Sequence, residues 1–292
     1  MPRIAYINGQ YLPHHQARTH IEDRGFQFAD GVYEVIAVRR GALLDERGHL
    51  DRLWRSLAEL QITPPMGRRS FRLVMREMIR RNRGVEGGLY IQVTRGVAAR
   101  DFTFPADVKP TLVMTLRRMD FDLTRQMQTG IKVVTVPDLR WPRRDIKTIA
   151  LLPQVLAKQV AALEGGAEAW MVDEDGYITE GGSSNAWILT ADNVLVTRQA
   201  DNSILKGVTR TALLALLSEE GVRIEHRAFT PEEAVSAKEA FTSGATTFCL
   251  PVVAIDEHQI GDGTPGPFVT RLRERYTETT GLPISEQQQW KP

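Results

Sequence analysis

One amine stands out in this 292-residue chain. Lys147 sits between Ile146 and the apolar run Ile149 to Leu152. Burial in such a setting favours the neutral amine, which is a competent nucleophile and Schiff-base former. The same side chain could instead pair with Asp145 or carry its ammonium out to water along its alkyl stem. Two other places could work with such an amine. Leu205-Lys206-Gly207-Val208-Thr209-Arg210 opens an apolar helix, whose unpaired first N–H groups and Thr209 hydroxyl suit a phosphate. A plain loop-to-helix junction with Thr209 as N-cap is the commoner use of such a segment. Glu180 follows Tyr177-Ile178-Thr179 and precedes Gly181-Gly182-Ser183-Ser184-Asn185. Those small residues let a ligand approach the backbone, with a carboxylate facing a bound ring; taken alone, such a turn is a polar connection.

Other chemistries lack their residues. There is no Walker loop, no pair of closely spaced cysteines, no H-E-x-x-H and no G-x-S-x-G elbow, so no metal is expected. Gly261, Gly263 and Gly266 do spell G-x-G-x-x-G. Pro265 and Pro267 stiffen that loop, however, and one helix with no later strand cannot complete a dinucleotide fold. Basic and acidic residues nearly cancel to a formal charge of +1, and no block of one sign could track a nucleic acid. The expected partners are therefore small molecules. Only seven of the 37 basic residues are lysines, and arginine is the better clamp for carboxylate and phosphate; a genome-wide preference for arginine explains the ratio equally well. The single cysteine, Cys249, lies in the apolar run Phe248 to Val253 and reads as a core residue. Met1-Pro2-Arg3 leads into an alternating pattern rather than an apolar signal core, and no run approaches the roughly 18 apolar residues of a membrane span. A cytoplasmic protein is expected.

The elements that must position these groups fall into two sets. Ile4 to Ile7 and Gln10 to Leu12 flank Asn8-Gly9 as a hairpin, and Val32 to Val38, Leu89 to Thr94 and Thr111 to Leu116 read as further strands. Leu50, Leu53, Trp54, Leu57 and Leu60 share one helical face, as do Phe71, Val74, Met75, Met78 and Ile79. An α+β domain over residues 1–119 follows, with the polar stretch 120–129 as linker and a second domain over 130–292. The second set comprises a strand over Ile131 to Val136, a helix near Pro153 to Leu163 and a hairpin from Ala169 to Glu180. Strands at Ala186 to Leu189 and Val194 to Thr197 and a helix over Thr209 to Ser218 come next. Thr230-Pro231-Glu232-Glu233 is a capping box with proline at the first helical position.

Together these segments resemble the fold type IV pyridoxal-phosphate enzymes, the D-amino-acid and branched-chain aminotransferase group that includes aminodeoxychorismate lyase. The likeness spans nearly the whole chain. It is carried by Glu22-Asp23-Arg24-Gly25-Phe26-Gln27-Phe28 continuing into Asp30-Gly31-Val32-Tyr33-Glu34, by Val93-Thr94-Arg95-Gly96, by Asp145-Ile146-Lys147-Thr148, by Thr179-Glu180-Gly181 with Ser183-Ser184-Asn185, and by Ile204 to Arg210.

The resemblance implies a smaller N-terminal α+β domain and a larger, β-barrel-like C-terminal domain with surrounding helices. It implies pyridoxal 5'-phosphate as cofactor, with Lys147 binding it covalently and then moving the substrate's Cα proton. Glu180 would pair with the pyridine nitrogen and make the ring an electron sink. Arg52 would hold the phosphate with the Val208 and Thr209 amides and the Thr209 hydroxyl. Ser183, Ser184, Asn185, Leu205, Gly207, Ala245 and Thr246 would complete the cofactor's surroundings. Tyr33 and Arg100 would bind the substrate carboxylate, Arg100 reaching in from the partner of a homodimer with shared active sites. Two departures from the family pattern stand out: Asp101-Phe102 follows Arg100 where D-amino-acid members have Ala-His, and Ala245 stands where many relatives place a phosphate-binding threonine. The implied reaction is transamination between D-amino acids such as D-alanine and 2-oxoglutarate or pyruvate. Alternatives of the same fold are an (R)-amine or branched-chain transaminase, or aminodeoxychorismate lyase.

Overall fold

The computed structural model describes residues 3–119, 121 and 123–281. Residues 1–2 and 282–292 of the two expected domains, and positions 120 and 122 of the expected linker, lie outside the described residues. The chain forms two units. One holds the residues up to Phe121 together with Ile146–Ala150; the other holds residues 123–145 and Leu151–Thr280.

In the first unit β1 (Ile4–Ile7) and β2 (Gln10–Pro13) form the expected hairpin. After a short helix α1 (Arg24–Phe28) come β3 (Gly31–Arg39), β4 (Ala42–Leu43), α2 (Glu46–Glu59), α3 (Arg68–Arg81), β5 (Gly87–Thr94) and β6 (Thr111–Arg118). The six strands make one antiparallel sheet in the order β2-β1-β6-β5-β3-β4. Leu50, Leu53 and Leu57 of α2 and Phe71, Met75 and Met78 of α3 bury against Ile36, Leu89, Ile91 and Met114 of the sheet. Each fully buried aliphatic side chain there contributes about 1.5–3 kcal/mol. Sequence patterning missed α1, because its N-cap is tertiary as well as local: Asp23 accepts the Gly25 N–H and the Thr94 hydroxyl, both at 2.9 Å.

Residues 146–150 are fastened to the start of β3. Thr148 bridges Val32, the Tyr33 N–H donates to Lys147 O at 3.0 Å, and the Ile149 N–H donates to Gly31 O at 3.1 Å. Ile146 fills the core beneath. Position 31 admits only glycine, since a Cβ there would stand 2.7 Å from Val93 O and 3.0 Å from Ile149 Cδ1.

The second unit runs α4 (Thr124–Thr129), β7 (Ile131–Pro137), α5 (Leu152–Leu163), β8 (Glu168–Val172), β9 (Ile178–Gly181), β10 (Asn185–Leu189), β11 (Leu195–Thr197), α6 (Val208–Glu219), β12 (Ile224–His226), α7 (Pro231–Val235), β13 (Glu239–Gly244), β14 (Phe248–Ile255), β15 (His258–Gln259) and α8 (Pro267–Gly281). Part of the stretch read as a linker is therefore helical, and Met127 of α4 packs on the unit's core. The main sheet follows the order β12-β11-β10-β13-β14-β7-β8-β9. Its last strand, β9, turns straight back into β10 through a Gly181 N–H to Ser184 O bond of 2.7 Å, which curls the sheet into a barrel-like wall. Trp170, Ile178, Ile188, Phe229 and Val252 pack together as its core. Cys249 is fully buried, as its apolar surroundings implied, and burial pushes its thiol up to about 12. The α7 cap is half of the expected box: Thr230 Oγ1 accepts the Glu233 N–H at 3.2 Å, while the Glu233 carboxylate binds Arg227.

Candidate active site

In the first unit the strand β3 serves two directions at once, because neighbouring side chains on a strand point to opposite faces. Tyr33, half-buried, meets Lys147: the ammonium donates to the Tyr33 hydroxyl at 3.2 Å and lies 4.2 Å from the ring centroid. Lys147 is half-buried rather than enclosed, and its backbone N–H reaches Ser56 Oγ at 3.4 Å. Asp145, the alternative partner suggested by the sequence, is gripped by Arg143 at 2.9 and 3.0 Å. Glu34 points the other way into the core, where Arg52 of α2 donates Nε at 2.7 Å and Nη2 at 2.8 Å, and His49 Nδ1 lies at 2.7 Å. Burial alone would raise the Glu34 carboxyl, but the Arg52 charge and the Arg52 and His49 hydrogen bonds hold it at about 2. Arg52, expected to bind phosphate, thus places two of its five donors on Glu34, which fixes the guanidinium plane.

Arg100 is exposed, with its guanidinium 5.0 Å from the Phe28 ring and 5.6 Å from the Phe102 ring. The two rings touch at 5.5 Å, and Phe102 is 80% exposed. The loop carrying them is tied down by Arg24, which donates to Asp101 O at 2.6 Å and to Asp30 at 2.8 Å. Asp30 also takes Arg95 at 2.7 Å.

In the second unit Glu180 is buried at the end of β9. Its Oε1 accepts the Leu205 N–H at 3.0 Å and the Arg140 guanidinium, and its Oε2 accepts the Asn185 amide at 2.9 Å. Asn185 also donates to Leu205 O at 3.0 Å, stapling the loop before α6 onto the start of β10. Gly207 is the N-cap of α6, and no side chain caps this end. A Cβ at position 207 would collide with Asn185 Oδ1, so the loop can lie this close only as glycine. Thr209, expected as a possible N-cap, is instead the second helical residue and is buried. An uncapped, partly enclosed helix N-terminus calls for an anion.

Ala245 and Thr246 lie in the turn between β13 and β14 and are half-buried. That turn adjoins the Ser183-Ser184 loop, since a Cβ built on Gly244 would stand 3.4 Å from Ser183 O. The Ser183 and Ser184 hydroxyls, expected at the cofactor, donate to buried Glu168 at 2.9 and 3.0 Å.

The second unit thus gathers Glu180, Asn185, Leu205 and the α6 N-terminus into one cluster, while in the first Lys147 meets Tyr33 and Arg52 meets Glu34. His49, Arg140 and Glu168 escaped sequence reasoning, and Glu34 entered it only as the end of the segment Asp30 to Glu34, with no role of its own. Each is a charged or polar residue whose partner lies far along the chain; Arg140 and Glu180 are 40 positions apart. The acid-arginine spacing of Asp138 and Arg140 was the one available signal.

The sequence model of the family "Amino-transferase class IV" matches residues 31–255. A D-alanine aminotransferase of Bacillus licheniformis is 36% identical over 270 residues, covering 91% of this chain and 93% of the relative. One from Staphylococcus haemolyticus is 35% identical, covering 94% and 96%. Among solved structures, the branched-chain amino acid aminotransferase of Escherichia coli superposes with a TM-score of 0.90 at 22% identity, covering 99% of this chain and 98% of that one. The two-domain fold type IV architecture expected from the motifs is the one present. With the family matched over more than half of its length and relatives above 30% identity covering nine-tenths of it, the chain belongs to the class IV aminotransferases.

Proposed function

We propose that this protein transfers amino groups between D-amino acids, D-alanine among them, and 2-oxo acids such as 2-oxoglutarate or pyruvate, using pyridoxal 5'-phosphate bound at Lys147. The observation that carries the proposal is the presentation of Lys147: backbone bonds to β3 fix the segment, and the amine is half-buried against the Tyr33 hydroxyl. The residues suit this cofactor. A half-buried amine, a buried carboxylate held by three donors and an uncapped helix N-terminus are the groups its aldehyde, ring nitrogen and phosphate require. The D-alanine aminotransferases it resembles support D-amino acids as substrates.

When bound, pyridoxal phosphate supplies a conjugated ring that accepts the electron pair left on the substrate Cα as its proton departs. Lys147 Nζ takes that proton and returns it, base and acid in turn. The Tyr33 hydroxyl orients Nζ. Glu180 holds a proton at the ring nitrogen, while Arg52, the Val208 and Thr209 amides and the Thr209 hydroxyl take the phosphate. Ser183, Ser184, Asn185, Leu205, Gly207, Ala245 and Thr246 shape the surroundings. Tyr33 and Arg100 bind the substrate carboxylate, Arg100 acting from the partner in a homodimer. Exposed apolar side chains on α5 (Leu152, Val155, Leu156 and Leu163) give a second copy a surface to cover. A cytoplasmic setting goes with Cys249 as a buried free thiol.

The test is a visible absorption spectrum of the purified protein with pyridoxal phosphate, taken before and after D-alanine or L-alanine. The cofactor band should bleach with the D form alone; a protein that acquires no band sinks the proposal. The Phe28–Phe102 ring pair beside Arg100 favours a second reading, donors with apolar substituents such as (R)-amines or branched-chain amino acids. Bleaching by those donors and not by D-alanine would establish it.

A further inference from the structure

We infer that Arg140 is a positioning residue for Glu180: anchored on Asp138, its guanidinium holds the Glu180 carboxylate as an oriented anion, and so keeps the ring nitrogen of the bound cofactor protonated. This rests on the cofactor proposal above and adds to it the group that acts through Glu180.

The network is built from the floor upward. Asp138, directly after β7, has a fully buried side chain. Its Oδ1 accepts the Arg140 backbone N–H at 3.1 Å and Arg140 Nε at 2.9 Å, and its Oδ2 accepts Arg140 Nη2 at 2.7 Å. Oδ2 also takes the Thr179 hydroxyl at 2.7 Å and pairs with Arg144 Nε at 3.1 Å. The guanidinium is thereby fixed edge-on, and its remaining terminal nitrogen, Nη1, donates to Glu180 Oε1. Arg140 and Glu180 are each 6% exposed.

A buried carboxylate without a cation takes up a proton, because desolvation penalises the charged form. A protonated Glu180 could no longer act as the anionic acceptor that favours a proton on a ring nitrogen. Asp138 and Glu180 face the guanidiniums of Arg140 and Arg144, and the buried Arg210 guanidinium also feels the Glu180 charge, while Arg140 touches the carboxylate directly. Burial would lower the Arg140 pKa, yet the Glu180 and Asp138 charges push it above its ordinary value, so the cation persists. Arginine alone suits the position: its planar fork reaches both carboxylates in fixed directions, whereas a lysine ammonium is a point charge on a flexible stem.

The experiment is 15N NMR of the holoenzyme loaded with ring-15N pyridoxal phosphate, titrated with pH for wild type, Arg140→Met and Arg140→Lys. Circular dichroism confirms folding, and cofactor affinity is measured on the apo forms. In wild type the ring nitrogen should stay protonated through neutral pH. In R140M its resonance should move toward the unprotonated position, with affinity weakened on the order of 10–100-fold, the range for groups that orient a ligating side chain. R140K should fall between the two, and it carries the test alone if R140M does not fold. Either variant superimposing on the wild-type titration overturns the assignment while leaving the cofactor proposal standing. A wild-type protein that binds no pyridoxal phosphate removes both.

Discussion

Glu34 and Glu180 pose the same physical problem, a buried carboxylate, and arginine answers it in both cases. Their consequences differ. Glu34 faces the core of the first unit, so its contribution is to stability and to the placement of Arg52. Its carboxyl is held at about 2 against an ordinary 4.5. A depressed folded-state pKa contributes stability that is present above 4.5 and is lost as pH falls from 4.5 toward 2. Glu34→Gln should therefore cost roughly 3–5 kcal/mol at neutral pH by leaving a buried guanidinium without its carboxylate. Its denaturation midpoint should also decline less than that of wild type across the acid window. Equal midpoints at neutral pH, measured by urea titration, would show that the Glu34–Arg52 pair contributes nothing. Tyr33, next in the chain, is free of this duty because the strand turns it to the opposite face.

At the scale of elements, the helix N-termini divide the labour. The start of α6 is uncapped and is proposed to bind phosphate. The start of α8 follows the G-x-G-x-x-G sequence and already holds an anion from within the chain: Glu239, at the start of β13, accepts the Phe268 and Val269 N–H groups at 3.0 Å each. A carboxylate thus stands where a nucleotide phosphate would have to sit. Glu239→Gln should lower the unfolding midpoint, losing about 1–2 kcal/mol through the weakened cap. It should leave cofactor affinity unchanged, since Glu239 touches none of the proposed cofactor residues. A calorimetric scan together with a cofactor titration reads both, and loss of cofactor binding with an unchanged midpoint would reverse the assignment of the two helix ends.

For the whole molecule, the proposed homodimer makes a sharp demand. If Arg100 serves the partner's site while Lys147 serves its own, then Arg100→Ala and Lys147→Ala protomers, each inactive alone, should regain activity when mixed and allowed to exchange subunits, because each mixed dimer holds one intact site. Light scattering confirms the dimer. No recovery in demonstrated heterodimers would place Arg100 and Lys147 in the same chain's site.

Apart from α1 and α4, the principal strands and helices of the first unit and of the second as far as α6, the amphipathic faces of α2 and α3, the glycine-bearing turns and the lysine, glutamate and helix-start motifs were legible in the amino-acid sequence. Each depends on neighbours a few positions away, through strand and helix periodicity or turn conformation. Tertiary structure alone decided that residues 146–150 join the first unit, that Ser183 and Ser184 donate to Glu168, and that Arg140 stands behind Glu180. Those outcomes follow from burial. A polar group shut away from water must find a partner wherever the fold brings one, and chain order does not record where that is.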